Sequence, residues 1–148
     1  MISIKEIKAQ ETYEIRKSVL RDGMSLSHVM KGDAAADTLH LGVFDNDKLV
    51  CIGSFMRASK TEFEGLQYQL RGMASAKGSQ GKGYGKLLLD RAEQLLREKE
   101  VDLLWCNDRV VALNFYKKLD YTVIGDVFNV DQVGPHFVMF KSLEENNR

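Results

Sequence analysis

The stretch LQYQLRGMASAKGSQGKGYGKLLLDRAEQLL, residues 66–96, decides the fold. Its first ten residues have a mixed pattern of apolar and polar side chains and predict a β-strand. The apolar residues after the glycines recur at helical spacing and predict an amphipathic helix; they are Leu87, Leu88, Ala92, Leu95 and Leu96. Between strand and helix lies a glycine-rich segment, which is either an ordinary loop or a set of main-chain N–H groups offered to an anion.

Two common phosphate-binding patterns do not fit this glycine-rich segment. A P-loop needs Ser or Thr after its Gly-Lys pair, and neither Gly81–Lys82 nor Gly85–Lys86 has one. The dinucleotide pattern G-x-G-x-x-G would place its third glycine where Lys86 stands. The remaining pattern is Q-x-x-G-x-G over residues 80–85. Because glycines allow N–H groups to converge and a helix N-terminus is electropositive, this pattern fits a pyrophosphate.

The composition is that of an ordinary globular protein without a charge bias. The chain has 148 residues, enough for one domain over 1–148, and its 21 basic residues balance 21 acidic ones. We therefore expect neither nucleic acid nor a membrane as partner. No signal peptide or apolar run of ~20 residues is present, which favours a cytoplasmic protein. Cys51 and Cys106 lie in apolar runs without metal-ligand spacing, so we expect free buried thiols and no metal.

The rest of the chain alternates predicted strands with predicted helices. Residues 11–21 and the region around 112–119 have helical patterns, whereas 22–37 has no regular period. The tripeptide DND at 45–47 predicts a hairpin turn, and Gly134–Pro135 a second turn. This order implies an α/β fold, with a mixed, mostly antiparallel central sheet of about seven strands flanked by helices.

Residues 66–96 resemble the strand, pyrophosphate loop and helix of the GNAT superfamily of acyl-CoA-dependent N-acyltransferases. ALNFYKKLDY, residues 112–121, resembles the second signature of that family, a helix that ends in Phe-Tyr. The two motifs occur in the family's order, and together they cover residues 66–121. The resemblance implies a splayed parallel strand pair within the sheet. It also implies transfer of an acetyl group from acetyl-CoA to a primary amine by direct attack.

The resemblance places the coenzyme site at the glycine-rich segment. Main-chain groups of Met73 and Ser75 would face the pantetheine and the thioester carbonyl, where an N–H group stabilises developing negative charge. The pyrophosphate would be held by the next stretch of the chain, comprising Gln80, Gly81, Lys82, Gly83, Tyr84, Gly85 and Lys86. The two lysines either add positive charge at the site or are simply solvated.

Tyr116 matches the tyrosine that protonates the departing CoA thiolate in this family. A hydroxyl of pKa ~10 can donate a proton to a sulfur leaving group at neutral pH, although a core position also suits this tyrosine. The family often has asparagine where this chain has Arg109, so Asn107 and Asn114 are candidates for that pantetheine contact. The usual Gly-Phe after the helix is replaced by Asp120–Tyr121, and aspartate tolerates the left-handed conformation of a helix end.

The acceptor amine must lose a proton before it attacks the thioester. His136 begins a strand that lies beside the acceptor groove in this family, and histidine changes its charge between pH 5 and 8. We therefore predict His136 as the base, with a histidine packed beside Pro135 as the alternative. The other candidate bases are carboxylates, namely Glu62, Glu64 and Asp108, whereas nothing specifies a site around His28 or His40.

The loops 22–38 and 60–65 are expected to select the acceptor, because loops vary while the sheet carries the coenzyme. The first loop contains three aspartates, which would suit a small cationic amine or a peptide amine. Two other functions stay open. One is a non-catalytic acyl-CoA-binding or regulatory module, paired as a homodimer through its sheet edges, and the other is a nucleotide-phosphate binder outside the family.

Overall fold

A computed structural model describes residues 1–144. Its regular elements, in chain order, are β1 Ile2–Glu6, α1 Ala9–Ile15, β2 Leu39–Asp45, β3 Lys48–Arg57, β4 Gln67–Ser75, α2 Tyr84–Glu98, β5 Leu103–Arg109, α3 Leu113–Lys118, β6 Thr122–Val130 and β7 Gly134–Ser142. A π-helical turn, Arg16–Leu20, continues α1, and a 3₁₀ turn, Val110–Ala112, precedes α3. In this described part, no helix is long and apolar enough to cross a membrane.

The seven strands form one mixed sheet in the order β1-β2-β3-β4-β5-β7-β6, which confirms the predicted fold class. Every neighbouring pair is antiparallel except β4 and β5. These two strands pair only over Gln67–Leu70 and Leu103–Cys106. Beyond that point β4 pairs only with β3 and β5 only with β7. The parallel pair therefore splays open toward the ends of both strands.

A β-bulge in β4 lies where the splay begins. Ile52 pairs with Ala74 but Ser54 pairs with Arg71, so two residues of β4 oppose one residue of β3. Gly72 has φ +66° there, and a Cβ on it would lie 3.2 Å from Arg16 Nε. The left-handed φ at this position favours glycine. Because a bulge bends its strand, this one contributes to the separation of β4 from β5.

Alternation along the strands divides the core between the two faces of the sheet. The face covered by α2 and α3, which we call the α2 face, carries most of the core, including Phe55, Leu70, Leu88, Leu104 and Met139. The opposite face is covered by α1 and carries a smaller cluster of Ile7, Ile15, Ile52 and Ala74. We call it the α1 face. The gap between β4 and β5 connects the two faces.

Three local predictions need correction. The helix predicted over 11–21 ends at Ile15 and continues as the π-helical turn. The turn between β6 and β7 lies at 131–133, because Gly134–Pro135 already belongs to β7. Glu93 lies off the leucine stripe of α2, so the helical spacing predicts an exposed side chain, but it is buried, and Tyr121 and Lys141 donate hydrogen bonds to its two carboxylate oxygens. By contrast, the hairpin turn at 45–47 and both buried free cysteines are confirmed.

Candidate active site

The glycine-rich segment presents a row of unengaged main-chain donors. From Gln80 to Lys86 no N–H group donates a hydrogen bond to another residue within 1–144. The first to do so is that of Leu87, which donates to Gly83 O at 3.3 Å. Gly81 and Gly83 have φ of +76° and +83°, a conformation that turns the chain and favours glycine. The segment thus offers donors and the positive end of α2 at one place.

Side chains around this segment are mostly basic. A groove of about 290 Å³ adjoins it and is lined in part by Lys48, Lys77 and Lys82. Lys86 lies in the first turn of α2 and forms an ion pair with Asp90 at 2.8 Å, so its charge is partly neutralised. The predicted contribution of Lys82 to anion binding therefore has more support from the geometry than that of Lys86.

Tyr84 and Gln80 have side chains that are engaged within the protein. The Tyr84 hydroxyl donates a hydrogen bond to Asp45 Oδ2 at 2.6 Å and joins the start of α2 to the turn between β2 and β3. Gln80 Nε2 donates to Ser75 O at 3.4 Å, which ties the loop back to the end of β4. The main-chain N–H groups of both residues remain free for a ligand.

Met73 and Gly85 mark the point where α2 approaches the splayed strand. A Cβ on Gly85 would lie 3.1 Å from Met73 Cε and 3.2 Å from Phe115 Cζ. This glycine therefore allows the first turn of α2, β4 and α3 to approach each other closely. The arrangement places the glycine-rich segment directly beside the gap between β4 and β5.

Tyr116 lies on the α2 face with its ring against Phe115 and Tyr121, at centroid distances of 4.9 and 5.6 Å. Its hydroxyl makes no hydrogen bond to a residue that the structure describes. Burial raises the pKa of Tyr116 well above its ordinary value, and the nearby Cys106 and Asp108 raise it further. The hydroxyl consequently keeps its proton at neutral pH and can act as a donor.

Asp108 and Cys106 form a buried pair beside this tyrosine at the splayed end of β5. The Cys106 thiol donates a hydrogen bond to Asp108 Oδ2 at 3.1 Å. Burial raises the pKa of Asp108 to about 7, and the hydrogen bond from Cys106 opposes this only in part. Burial also raises the pKa of the Cys106 thiol well above its ordinary value. The thiol is therefore a poor nucleophile, and it serves as a buried hydrogen-bond donor to Asp108.

We expect the Asp108→Asn substitution to remove a pH dependence of stability. The folded carboxyl holds its proton up to about pH 7, whereas an unfolded aspartate loses it near 3.8. Between these values the folded state binds more protons, so rising pH destabilises the wild-type chain. Relative to wild type, the variant should gain up to about 4 kcal/mol between pH 4 and pH 8.

Urea unfolding at both pH values measures this difference in the free energy of unfolding. Asp22→Asn is the matched control, because Asp22 is an exposed carboxylate that pairs with Lys77 at 3.4 Å. Equal pH slopes for wild type and Asp108→Asn would show that the buried carboxyl is already ionised.

His136 lies on the other face of the sheet. It pairs with Arg109 of β5, whereas Phe137 pairs with Asp108, so His136 shares the α1 face with Arg109 and Asn107. Its Nδ1 lies 2.8 Å from Gly134 O. A carbonyl can only accept, so Nδ1 carries the proton and Nε2 of the neutral ring is left as an acceptor. The predicted base and the predicted acid thus lie on opposite faces of the splayed pair.

The remaining candidates are two asparagines, two glutamates and His40. Asn107 and Asn114 are both exposed, the first on the α1 face and the second on α3, and the structure does not bring them together. Glu62 and Glu64 are both exposed in the loop before β4. His40 is fully engaged, because Nε2 donates to Asp33 O and Nδ1 accepts from Ser54. Within 1–144 no cluster of three or more potential metal-ligating side chains occurs.

The sequence patterns do not predict the buried polar network that lies under the β4 bulge. Arg16 is fully buried and donates to both carboxylate oxygens of Asp33, at 2.7 and 3.0 Å, and to Ser54 Oγ. Its Nε has no hydrogen-bond partner within the described chain. Arg16 stands among exposed-type residues of a predicted helix, and no local pattern distinguishes it from Lys17 or Arg21. Only the tertiary structure could reveal it.

The loop after α1 reaches across to the turn between β6 and β7. The main-chain N–H of Ser25 donates to Gln132 Oε1 at 2.9 Å, and Gln132 Nε2 donates to Ser25 Oγ at 2.8 Å. The two segments come from opposite sides of the splayed pair. They partly enclose the α1 face between them, where His136 lies.

Comparisons with known proteins agree with this geometry. The model of the Acetyltransferase (GNAT) family matches residues 7–121. The uncharacterized N-acetyltransferase YitI of Bacillus subtilis (strain 168) is 37% identical over 145 residues, which cover 97% of each chain. Among solved structures, Escherichia coli ElaA superposes with a TM-score of 0.79 at 16% identity and covers 95% of this chain and 99% of its own.

An aminoglycoside 6'-N-acetyltransferase solved with coenzyme A has the same fold. Its TM-score is 0.76 at 12% identity, and the match covers 96% of this chain and 97% of that one. The chain therefore belongs to the GNAT family of acetyltransferases. The family resemblance carried by the two sequence motifs is confirmed.

Proposed function

We propose that this chain is one acyl-CoA N-acyltransferase domain that transfers an acetyl group from acetyl-CoA to a primary amine by direct attack. The observation that carries the proposal is the row of unengaged N–H groups from Gln80 to Lys86, placed at the mouth of the splayed strand pair. Such donors at a helix N-terminus suit the pyrophosphate of the coenzyme. Family membership supports the same assignment.

The gap between β4 and β5 suits the pantetheine arm and its thioester. Met73 and Ser75 lie on the part of β4 that is not paired with β5, so their main-chain groups are available from the gap. The thioester supplies an electrophilic carbonyl, and an N–H group at the bulge would stabilise the negative charge that develops there. Asn107, on the opposite strand, is in a position to contact the arm from the α1 face.

The two proton transfers of the reaction take place on different faces of the sheet. On the α1 face, His136 Nε2 accepts the proton of the acceptor amine, directly or through water. On the α2 face, the Tyr116 hydroxyl donates its proton to the departing thiolate. Because the gap connects both faces, the amine can form its bond to the carbonyl carbon from the α1 face, and the C–S bond then breaks with the sulfur departing toward the α2 face. This division favours direct transfer over a Cys106 intermediate, since the Cys106 thiol is buried and held by Asp108.

We expect Gly83→Ala to weaken acetyl-CoA binding by about 10-fold or more. A left-handed φ of +83° is strained for alanine, so the chain shifts and the adjoining N–H groups lose their common direction. Gly125→Ala is the matched control, because Gly125 has φ +78° in β6 and no atom within 4 Å of its added Cβ. Calorimetric titration should show weaker binding for the first variant only. If both variants bind acetyl-CoA with equal affinity, the loop is not part of the coenzyme site.

The alternative is a non-catalytic acyl-CoA-binding or regulatory module on the same fold, with homodimer formation as one way to regulate. The placement of Tyr116 and His136 on the two sides of the gap favours catalysis over this alternative. A thiol-release assay across polyamines, amino acids, aminoglycosides and peptides distinguishes them. Binding of acetyl-CoA without thiol release from any amine would favour the module, and tight binding of ATP in place of acetyl-CoA would favour a nucleotide site.

A further inference from the structure

The α1 face carries a cluster of arginines beside the position proposed for the thioester. Arg71 is the last residue of β4 before the bulge and pairs with Ser54, whose hydroxyl accepts a hydrogen bond from Arg16. The side chains of Arg71 and Ser54 therefore lie on the same face. Arg71 is only two residues, about 7 Å of strand, from Met73. The cluster thus adjoins the gap in which the acetyl group would lie.

The charges of this cluster are not balanced. Burial lowers the pKa of Arg71, and the Arg16 guanidinium lowers it further. Burial also lowers the pKa of Arg21, with further contributions from Arg71 and Arg16. Within residues 1–144, the carboxylate that pairs with this cluster is Asp33, which is bound by both Nη atoms of Arg16. In this part of the chain, three guanidinium groups therefore share a single paired carboxylate.

Two of these arginines have unused hydrogen-bonding capacity. Arg71 is half-buried and makes no hydrogen bond or ion pair with a described residue. Arg16 is fully buried, and its Nε has no partner although it lies 3.2 Å from where a Cβ of Gly72 would stand in the bulge. Arg21 uses its Nε to donate to Ser27 O. A half-buried guanidinium group without a partner, such as that of Arg71, indicates an anionic ligand.

The first loop offers less negative charge than its sequence suggests. Of its three aspartates, Asp33 is bound by Arg16 and Asp22 pairs with Lys77. The expectation of a small cationic amine or a peptide amine, drawn from these aspartates, therefore has less support. Two of the side chains that border the gap on this face, Arg71 and Arg109, are positively charged.

We propose that the acceptor is a small amine that carries its own carboxylate, as in a free amino acid, and that Arg71 binds this carboxylate. The inference rests on the proposed acetyltransferase function and specifies its substrate class. Arg71 donates a forked pair of hydrogen bonds to the carboxylate, and Arg16 contributes positive charge from beneath the bulge. The short distance between Arg71 and the bulge requires that the amine and the carboxylate be separated by only a few bonds.

The test uses pairs of L-amino acids and their carboxamides as acceptors in the thiol-release assay. We expect the wild-type protein to prefer the carboxylate member, and Arg71→Gln to raise the KM of that member about 10- to 100-fold. The KM of the amide should stay within about threefold, since the amide has no charge for Arg71 to bind. Arg71→Lys should be intermediate because it keeps the charge but loses the fork.

Arg57→Gln is the matched control, because Arg57 is an exposed arginine at the end of β3, opposite Tyr68. It should leave both KM values unchanged. Equal use of the two members of each pair would overturn the inference while leaving the acetyltransferase function intact. If no pair is acetylated, the same compounds are titrated calorimetrically into the acetyl-CoA-loaded protein. Carboxylate-dependent binding that Arg71→Gln removes would then support the inference, and its absence would overturn it.

Discussion

Tyr116→Phe is expected to lower kcat by about 100-fold or more and to leave the dissociation constant of acetyl-CoA within about threefold of wild type. The substitution keeps the ring that packs against Phe115 and Tyr121 and removes only the hydroxyl. That hydroxyl is the buried donor on the α2 face, and its raised pKa keeps it protonated at neutral pH. Without it, the thiolate must leave unprotonated or take its proton from water.

Tyr121→Phe serves as the control for this experiment. Tyr121 is a buried tyrosine in the same ring cluster, but its hydroxyl donates to Glu93 Oε2 at 2.8 Å, away from the gap. We expect this variant to lose about 1–3 kcal/mol of stability and to keep kcat within a few-fold. If Tyr116→Phe instead loses acetyl-CoA binding with kcat unchanged at saturation, Tyr116 is a packing residue of the coenzyme site.

His136→Asn is expected to lower kcat/KM by about 100-fold at pH 7. Asparagine Nδ2 can still donate to Gly134 O in place of histidine Nδ1, so the local structure is kept while the acceptor at Nε2 is lost. The loss should shrink as the pH rises toward the pKa of the acceptor amine, because a neutral amine needs no base. Steady-state rates from pH 6 to pH 10 measure this recovery.

His28→Asn is the matched control for the histidine substitution. The His28 ring packs edge-on against Tyr13 at 5.0 Å, and its contact with Arg16 is made by the main-chain carbonyl, which the substitution keeps. Its pH profile should follow that of wild type. A loss in His136→Asn that is the same at every pH would indicate a packing role and would transfer the role of base to another group.

The fold can be predicted from the sequence because the patterns that specify it are local. The glycine-rich segment follows a strand and precedes a leucine stripe, and the Phe-Tyr helix follows at the family's spacing. The turn of Asn46 and Asp47, with φ of +50° and +69°, uses residues that favour the left-handed region. Each of these features depends on neighbours in the chain, so no tertiary contact had to be known.

The buried polar groups of the protein cannot be predicted from the sequence in the same way. Arg16 is buried because Asp33 and Ser54 meet it from two other segments, and the raised pKa of Asp108 results from burial beside Cys106. Neither residue type predicts burial by itself. Likewise, the loop aspartates by themselves favour a small cationic amine or a peptide amine, because the sequence does not show that Asp33 is already paired with Arg16. Pairings between distant segments decide the electrostatics of the acceptor side.

A crystal structure of the protein with acetyl-CoA tests the central proposal most directly. We predict that the pyrophosphate oxygens lie within hydrogen-bonding distance of the N–H groups between Gln80 and Lys86. We also predict that the thioester lies between β4 and β5, with its sulfur beside the Tyr116 hydroxyl. A coenzyme bound outside this gap, with the N–H groups of the loop facing solvent, would contradict it.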